Sequence, residues 1–371
     1  MSAARRAALR AVNAARRARD DRRRTPPQVR LGRADGRRRI FYLSPDPPMP
    51  RGGVRVFYQH VDLLRAAGFD ATVVHCRRGY RAGWFANDTA VAGAPDVTVT
   101  PDDVLVVPEY YGGTLDRLPA GPTVVVLNQG VYHTFDAVDV AAAAALVGPP
   151  VSAVLTVSED SLDLLRFTFA GVPVHLVRPT LDRDVFHPGD GAPRGRRIAY
   201  AANRRADESH HLRCVLEARG RLAGWELVPI VGMSEAEVAD TMRSCPIFLS
   251  MNEREGFGLQ PAEAMACGCF VVGYTGQGAR EFFDPRYSAP VPDGALLDYA
   301  RAVEEAVAAF EADPDALTRR GLDASAALLA RYDEAGLRGD LVAFFRSLGL
   351  APAAIDDGAG AAGPTAADRL R

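Results

Sequence analysis

The sequence predicts an α/β fold in which two doubly wound, parallel-sheet domains face each other across a cleft. Three observations predict it. The chain has 371 residues, and at about 150 residues per domain two domains are the natural division. From residue 40 onward short β-rich runs alternate with helix-length stretches, the mark of βαβ units around a parallel sheet. A polar, Pro- and Gly-rich stretch from Pro179 to Gly195 breaks that rhythm once, after which it restarts.

The first block reads as strand Ile40–Leu43, helix Val54–Ala67 and strand Ala71–His75. Strands Val104–Val107, Thr123–Leu127, Ala153–Val157 and Val174–Val177 follow, with helix Ser158–Phe169 between the last two. Most are apolar on both faces, as strands covered by helices on each side must be. The second block opens with strand Ile198–Ala201, a helix near His211–Arg219, strand Leu227–Val231, helix Glu235–Arg243 and strand Ile247–Ser250. Helix Gln260–Ala266, strand Phe270–Gly273 and helices Leu296–Ala312, Leu317–Arg331 and Glu334–Leu348 complete it. The Ala/Gly/Pro-rich end from Ala351 reads as disordered. Sheets of this kind bind ligands outside the carboxyl ends of their strands, so two of them place the ligand between the domains.

Composition narrows the function class. A content of 48% hydrophobic and 24% charged residues excludes wholesale disorder. Five scattered Cys fit a reducing compartment rather than a disulfide framework. No run approaches the 18 apolar residues of a membrane span, and the start lacks the apolar core of a signal peptide, so the expected location is the cytoplasm. The net charge of −2 conceals an asymmetry: residues 1–39 hold fourteen Arg and three Asp, leaving the rest of the chain at −13. All 44 basic residues are Arg. The Arg-rich segment 1–39 reads as a solvated, flexible tail. The sharper reading is peripheral contact with an anionic membrane at the inner face. No aromatics are interleaved with the Arg, so nucleic acid is not expected as a partner.

The most informative stretch runs from Ser250 to Glu281. A strand ending at Ser250 leads into the Gly-flanked loop Glu255-Gly256-Phe257-Gly258, and a helix starts near Pro261, a residue suited to a first helical turn. Free N–H groups of Gly258, Leu259 and Gln260 would point out of that helix start and form an anion site favoured by the helix dipole. Glu255 and Glu263 flank this site. Like charges repel, so neither carboxylate coordinates a phosphate, but each can accept hydrogen bonds from hydroxyls. A ligand that combines hydroxyls with phosphates is a sugar nucleotide.

Here the chain resembles a known family. EGFGLQPAEAMACG, with seven residues between Glu255 and Glu263, looks like the signature of the retaining GT-B glycosyltransferases of the large group 1 family, and the likeness covers most of residues 40–345. It implies a GT-B fold of two Rossmann-like domains. Their expected extents are an acceptor-binding domain over 40–180, a linker over 181–194 and a nucleotide-sugar-binding domain over 195–325. C-terminal helices over 326–350, the last packing back on the first domain, and a disordered tail over 351–371 would complete the chain. The resemblance carries donor-sugar hydroxyls onto Glu255, ribose hydroxyls onto Glu263, and the diphosphate onto the backbone amides of Phe257, Gly258 and Leu259. Gly52 and Gly53, between the first strand and VFYQHVDLLRAAGFDATVVH, resemble the family's N-terminal Gly-Gly loop, where missing side chains admit a phosphate.

A departing nucleotide needs its charge countered. The family uses an Arg after the first strand of the second domain, with a Lys a few residues on. Arg204 and Arg205 occupy the first place; the Lys is missing, and His210 or His211 stands near its position. At the end of the fourth strand of the first domain, where the family often has a His, this chain has Asn128 and Gln129, with His133 slightly later. These three, and Glu109 of Glu109-Tyr110-Tyr111-Gly112, are candidate sugar or acceptor contacts, although Tyr110 and Tyr111 would serve equally as packing residues. The span from Val231 to Glu255 is only 25 residues, so one βα unit common in the family is missing, and Gly232 and Met233 are expected beside the nucleoside base. Gly276 to Glu281 matches a Gly-rich turn given a structural role. Cys267-Gly268-Cys269 offers only two thiols, too few for a zinc site, and neither metal nor cofactor is expected.

The implied activity is retaining hexosyl transfer from a nucleotide diphosphate sugar to a saccharide or small-molecule acceptor, in glycoconjugate or polysaccharide biosynthesis. Two other readings fit the same fold. One is a sugar-nucleotide epimerase or phosphorylase. The other is a non-catalytic sugar-nucleotide-binding subunit, which the missing Lys and the short second domain would suit.

Overall fold

A computed structural model describes residues 24–47, 49, 51–136, 150–202 and 204–352. The expected membrane-contacting start and the tail beyond residue 352 lie outside the described residues. The first block comprises β1 (Arg30–Leu31), β2 (Ile40–Leu43), α1 (Gly52–Ala66), β3 (Ala71–His75), β4 (Val91–Gly93) and β5 (Thr98–Val99). It continues with β6 (Val104–Pro108), β7 (Thr123–Asn128), α2 (His133–Asp136), β8 (Val151–Thr156), α3 (Glu159–Thr168) and β9 (Val174–Leu176). The second comprises β10 (Arg197–Ala201), α4 (Ala206–Arg219), β11 (Glu226–Ile230), α5 (Glu235–Ser244), β12 (Ile247–Glu255), α6 (Leu259–Ala266) and β13 (Phe270–Gln277). Strand β14 (Ser288–Val291) and helices α7 (Leu296–Ala312), α8 (Pro314–Arg331) and α9 (Glu334–Ser347) follow.

Each block forms its own parallel sheet. The first has seven strands in the order β4-β3-β2-β6-β7-β8-β9, and the second five in the order β11-β10-β12-β13-β14. In both, the chain winds outward in one direction and then returns to wind in the other. The order therefore reverses between β2 and β6 in one sheet and between β10 and β12 in the other. Helices on the two sides of a reversal run to opposite faces, leaving a crevice at the carboxyl ends of the strands. The residues singled out above cluster at these two crevices.

Alternation along the strands supplies two cores per sheet. Ile40 and Tyr42 pack with Phe57, Val61 and Leu64 of α1, while Phe41 and Leu43 face the opposite side with Leu105 and Val107. Helix α9 buries Leu337, Leu341, Phe344 and Phe345 in the core of the first sheet, although it follows the second domain. Asp333 caps its start through the Gly336 N–H at 2.8 Å, and Asp340 holds Arg178 at 3.2 Å.

Several expectations are corrected. Residues 24–39 are not a free tail. Arg30–Leu31 pairs with β5, and Arg39 donates to both oxygens of the fully buried Asp103, at 3.0 and 2.8 Å. A buried carboxylate needs such a partner, which binds this part of the segment to the sheet. The strand expected to stop at Ser250 runs on to Glu255, pairing Glu255 with Gln277 through an irregularity after Asn252. Gly52 and Gly53 form the first turn of α1 rather than a preceding loop. Helix α8 crosses the expected boundary at 325 unbroken, and Ala324, Leu328 and Tyr332 belong to the core of the second domain. The linker is packed too, with Leu181 and Phe186 in that same core.

Candidate active site

Strand β12, a three-residue turn and α6 build the centre of the site. Gly258 initiates α6 at φ 94°, in the left-handed region that an L side chain rarely occupies. No side chain caps α6 and its first turn holds no acidic residue. The amides of a first helical turn have no intrahelical acceptor, so they remain available to a ligand beside the positive end of the helix dipole. Under this turn lies Asn252, buried, with its Nδ2 unpartnered and 2.7 Å from the point a Cβ on Gly258 would occupy. Nothing in the sequence pattern singled out Asn252.

The turn also touches the first domain. A Cβ on Gly256 would lie 1.8 Å from the carbonyl oxygen of Gln129, so the absent side chain is what lets the two backbones meet. Gln129 Nε2 in turn donates to the Gly53 carbonyl at 3.1 Å. Thus Gly53, Gln129 and Gly256, from three distant parts of the chain, stand side by side.

Phe257 has its side chain buried among Phe282 and Tyr332, with ring centroids 5.2 and 4.9 Å away. It anchors the turn, and only its backbone faces a ligand role. Leu259, the first residue of α6, is an exposed apolar side chain. Glu263 lies one turn further in and is half-buried. Burial, with Glu235 nearby, pushes its carboxyl up to about 7, against the lowering effect of Arg55. Gly232, at φ 67°, and the half-buried Met233 sit in the turn ahead of α5, where Met233 Sδ accepts from Thr241 at 3.6 Å.

The two arginines after β10 part company. Arg204 is 44% exposed and pairs with Glu255 at 2.6 Å. Arg205 is only 13% exposed; its guanidinium bonds Glu208 at 2.7 Å and Asp293 at 2.5 Å and stacks 4.8 Å from the centre of the Tyr274 ring. Its backbone is held at φ 40° and its Nε has no partner. Two carboxylates already match its charge. The expectation that Arg205, alone or together with Arg204, holds the leaving phosphate is therefore corrected: Arg205 braces the turn, and of the two only Arg204 has the exposure for that role. His210 and His211 are exposed on α4, and the ring of His210 contacts Cys214 at 3.6 Å.

On the facing wall, Glu109 follows β6 and is 7% exposed. It accepts the Gln129 N–H at 3.1 Å, and burial pushes its carboxyl up to about 7. His133 is exposed, with Nδ1 2.9 Å from Asp136, and packs against Gly130, where a Cβ would lie 2.8 Å from its ring. Asn128 is corrected: it is buried and donates to Thr134 at 2.5 Å, so it supports this wall from behind. Tyr111 is a core residue packed on Tyr110.

The structure brings together, then, Glu255 with Arg204, Gln129 with Gly53 and Gly256, and Glu109 with His133. Arg55, which sequence reading passed over, crosses from α1 to Glu235 and lies 3.9 Å from Asp182. Its partners stand more than a hundred residues away, and no local pattern reveals such a pairing. Cys267 and Cys269 are buried, each directed at backbone carbonyls.

Comparison with known proteins agrees with this architecture. Residues 222–324 match the family model described as glycosyl transferases group 1. An alpha-1,6-glucosyltransferase of Actinobacillus pleuropneumoniae serotype 7 is 24% identical over 268 residues, 70% of this chain and 80% of that protein. Among solved structures, sucrose-phosphate synthase from Thermosynechococcus elongatus superposes with a TM-score of 0.62 at 15% identity, covering 84% of this chain and 99% of that one. HepE of Anabaena in complex with UDP-glucose gives a TM-score of 0.59 at 13% identity, covering 83% and 99%. The chain has the GT-B fold, and the part of its second domain over residues 222–324 matches the group 1 glycosyltransferase family.

Proposed function

We propose that this chain transfers a hexosyl group from a nucleoside diphosphate sugar to a saccharide or small-molecule acceptor, with retention of anomeric configuration and without a metal ion. The observation that carries the reading is the uncapped start of α6, beside Arg204 and between Glu255 and Glu263. Amides and one exposed cation suit a diphosphate, and the flanking carboxylates suit hydroxyls of sugar and ribose. The glucosyltransferase name of the sequence relative and the UDP-glucose complex of the Anabaena neighbour make UDP-glucose the first donor to try.

In the proposed reaction the bond from the anomeric carbon to the β-phosphate oxygen breaks, and the acceptor oxygen bonds that carbon from the same face. The acceptor proton passes to the leaving phosphate oxygen. The α6 amides, aided by Arg204, stabilise the charge that develops on that phosphate, while Glu255 orients the sugar. Gly256 against Gln129 closes the site over the donor, which limits hydrolysis by water. No separate cofactor enters the scheme.

Nucleotide release with UDP-glucose and a panel of acceptors tests the reading. Turnover in the parent chain, with loss of about 10²-fold or more in Glu255→Gln and Arg204→Ala, supports it. New sugar nucleotide formed from donor alone would indicate an epimerase. Donor binding without turnover across the panel would indicate a binding subunit.

A further inference from the structure

One charged group at the cleft has no part in that scheme. Arg55 lies in the first turn of α1, two residues after Gly53. Its guanidinium leaves the first domain and donates to Glu235, the opening residue of α5, while its other nitrogen lies 3.9 Å from Asp182 in the linker. Phe85 flanks it, with the ring centre 5.8 Å away. Helix α5 begins directly after Gly232-Met233-Ser234, with Ser234 and Glu237 forming a reciprocal cap that fixes the helix start. A positive charge from one domain and a negative charge from the other therefore meet at the nucleoside end of the cleft. Both charges act on the carboxyl of Glu263.

We propose that Arg55 is a positioning residue of the donor site: paired with Glu235 across the cleft, it closes the first domain over the nucleoside and holds its charge against Glu263. This rests on the donor reading given above. The charged groups acting on Glu263 come from two packed elements, Glu235 of α5 and Arg55 of α1. Glu235 and burial favour the protonated carboxyl, whereas Arg55 favours the carboxylate. A carboxylate accepts two hydroxyl hydrogen bonds, while the protonated form gives up one such position to its own proton. Arg55 thus keeps Glu263 in the form that a vicinal diol needs.

The test is calorimetric titration of the full chain with UDP, and with GDP and ADP in parallel, at pH 6.5 and 8.5. Arg55→Ala is expected to weaken nucleotide binding about tenfold at pH 6.5 and under about threefold at pH 8.5, because the higher pH ionises Glu263 without help. Arg55→Glu alone should bind more weakly still, and the exchanged pair Arg55→Glu with Glu235→Arg should recover most of the loss. Parental affinity in Arg55→Ala at both pH values, or no recovery in the exchanged pair, overturns the proposal. Absence of binding of all three nucleotides to the parent chain overturns the donor reading itself, and this inference with it. The parent titration thus separates the two failures.

Discussion

Two carboxyl groups with the same displaced titration sit on opposite walls of the cleft, and their surroundings give them different consequences. Glu109 is nearly sealed from solvent, and its proton is held up to about 7 instead of near 4.5. Between those values the folded chain binds a proton that the unfolded chain has released, so stability falls as pH rises through this window. Glu109→Gln should therefore melt higher than the parent at pH 8, by a margin of at most about 3 kcal/mol, and match it near pH 4.5. Thermal melts across that range check this, and an unchanged difference between the two ends would contradict it. Glu263 is half-exposed, and its displacement belongs to ligand binding: affinity for a nucleoside diphosphate sugar should rise as pH passes upward through about 7. Arg204 and Arg205 show how neighbours in sequence diverge in role. Arg204→Ala should cost turnover with little change in melting. Arg205→Ala should instead lower the melting temperature, since it leaves Glu208 and Asp293 without their shared cation, a loss of about 1–3 kcal/mol. Opposite outcomes for the two variants would reverse the assignment.

At the scale of elements, the strand–turn–helix of β12 and α6 was readable because its requirements are local. The Gly-flanked turn, the Pro at position 261 and the two carboxylates on either side of a helix start all show in a short window of sequence, while the left-handed Gly258 and the missing side-chain cap show only in the structure. The close approach of Gly256 to Gln129 was not readable, because the reason for that glycine lies in another domain. Gly256→Ala would set a Cβ 1.8 Å from the Gln129 carbonyl oxygen, so the turn must withdraw from the first domain. The expected result is loss of turnover with each domain still folded, visible as near-native circular dichroism with a weakened donor affinity. Full activity would mean that the contact has no part in closure. The extension of β12 to Glu255 was also missed. Glu253 and Glu255 have poor strand propensity, and the extension resumes through the pairing of Glu255 with Gln277 after the irregularity at Asn252. Asn128 was misjudged for a related reason: position at a strand end brings a residue near the cleft, but local packing on Thr134 decides where its amide turns.

Among the described residues the fold is two large parallel sheets, with the small β1–β5 pair beside the first, and the alternation of strands and helices revealed the two large ones. What joins the sheets was harder to read. Helix α9 returns to the first domain and buries Leu337, Leu341, Phe344 and Phe345 there, an arrangement suggested by family resemblance rather than by the helix's own pattern. Leu341→Ala should destabilise the first domain by about 2–5 kcal/mol and leave the second domain's nucleotide affinity within about threefold of the parent. A coincident loss of both would mean that the domains form one cooperative unit. Residues 24–39 escaped recognition as structure because their Arg-rich composition resembles a solvated tail, whereas Arg39 is specified by one buried partner, Asp103.

The central claim is that a diphosphate sits at the entrance of α6. A crystal structure of the chain with UDP-glucose tests it most directly. The account predicts phosphate oxygens within about 3 Å of the amides at positions 258–260, the ribose hydroxyls on Glu263 and the sugar hydroxyls on Glu255. Nucleotide bound elsewhere, with those amides facing only solvent or protein, would contradict it.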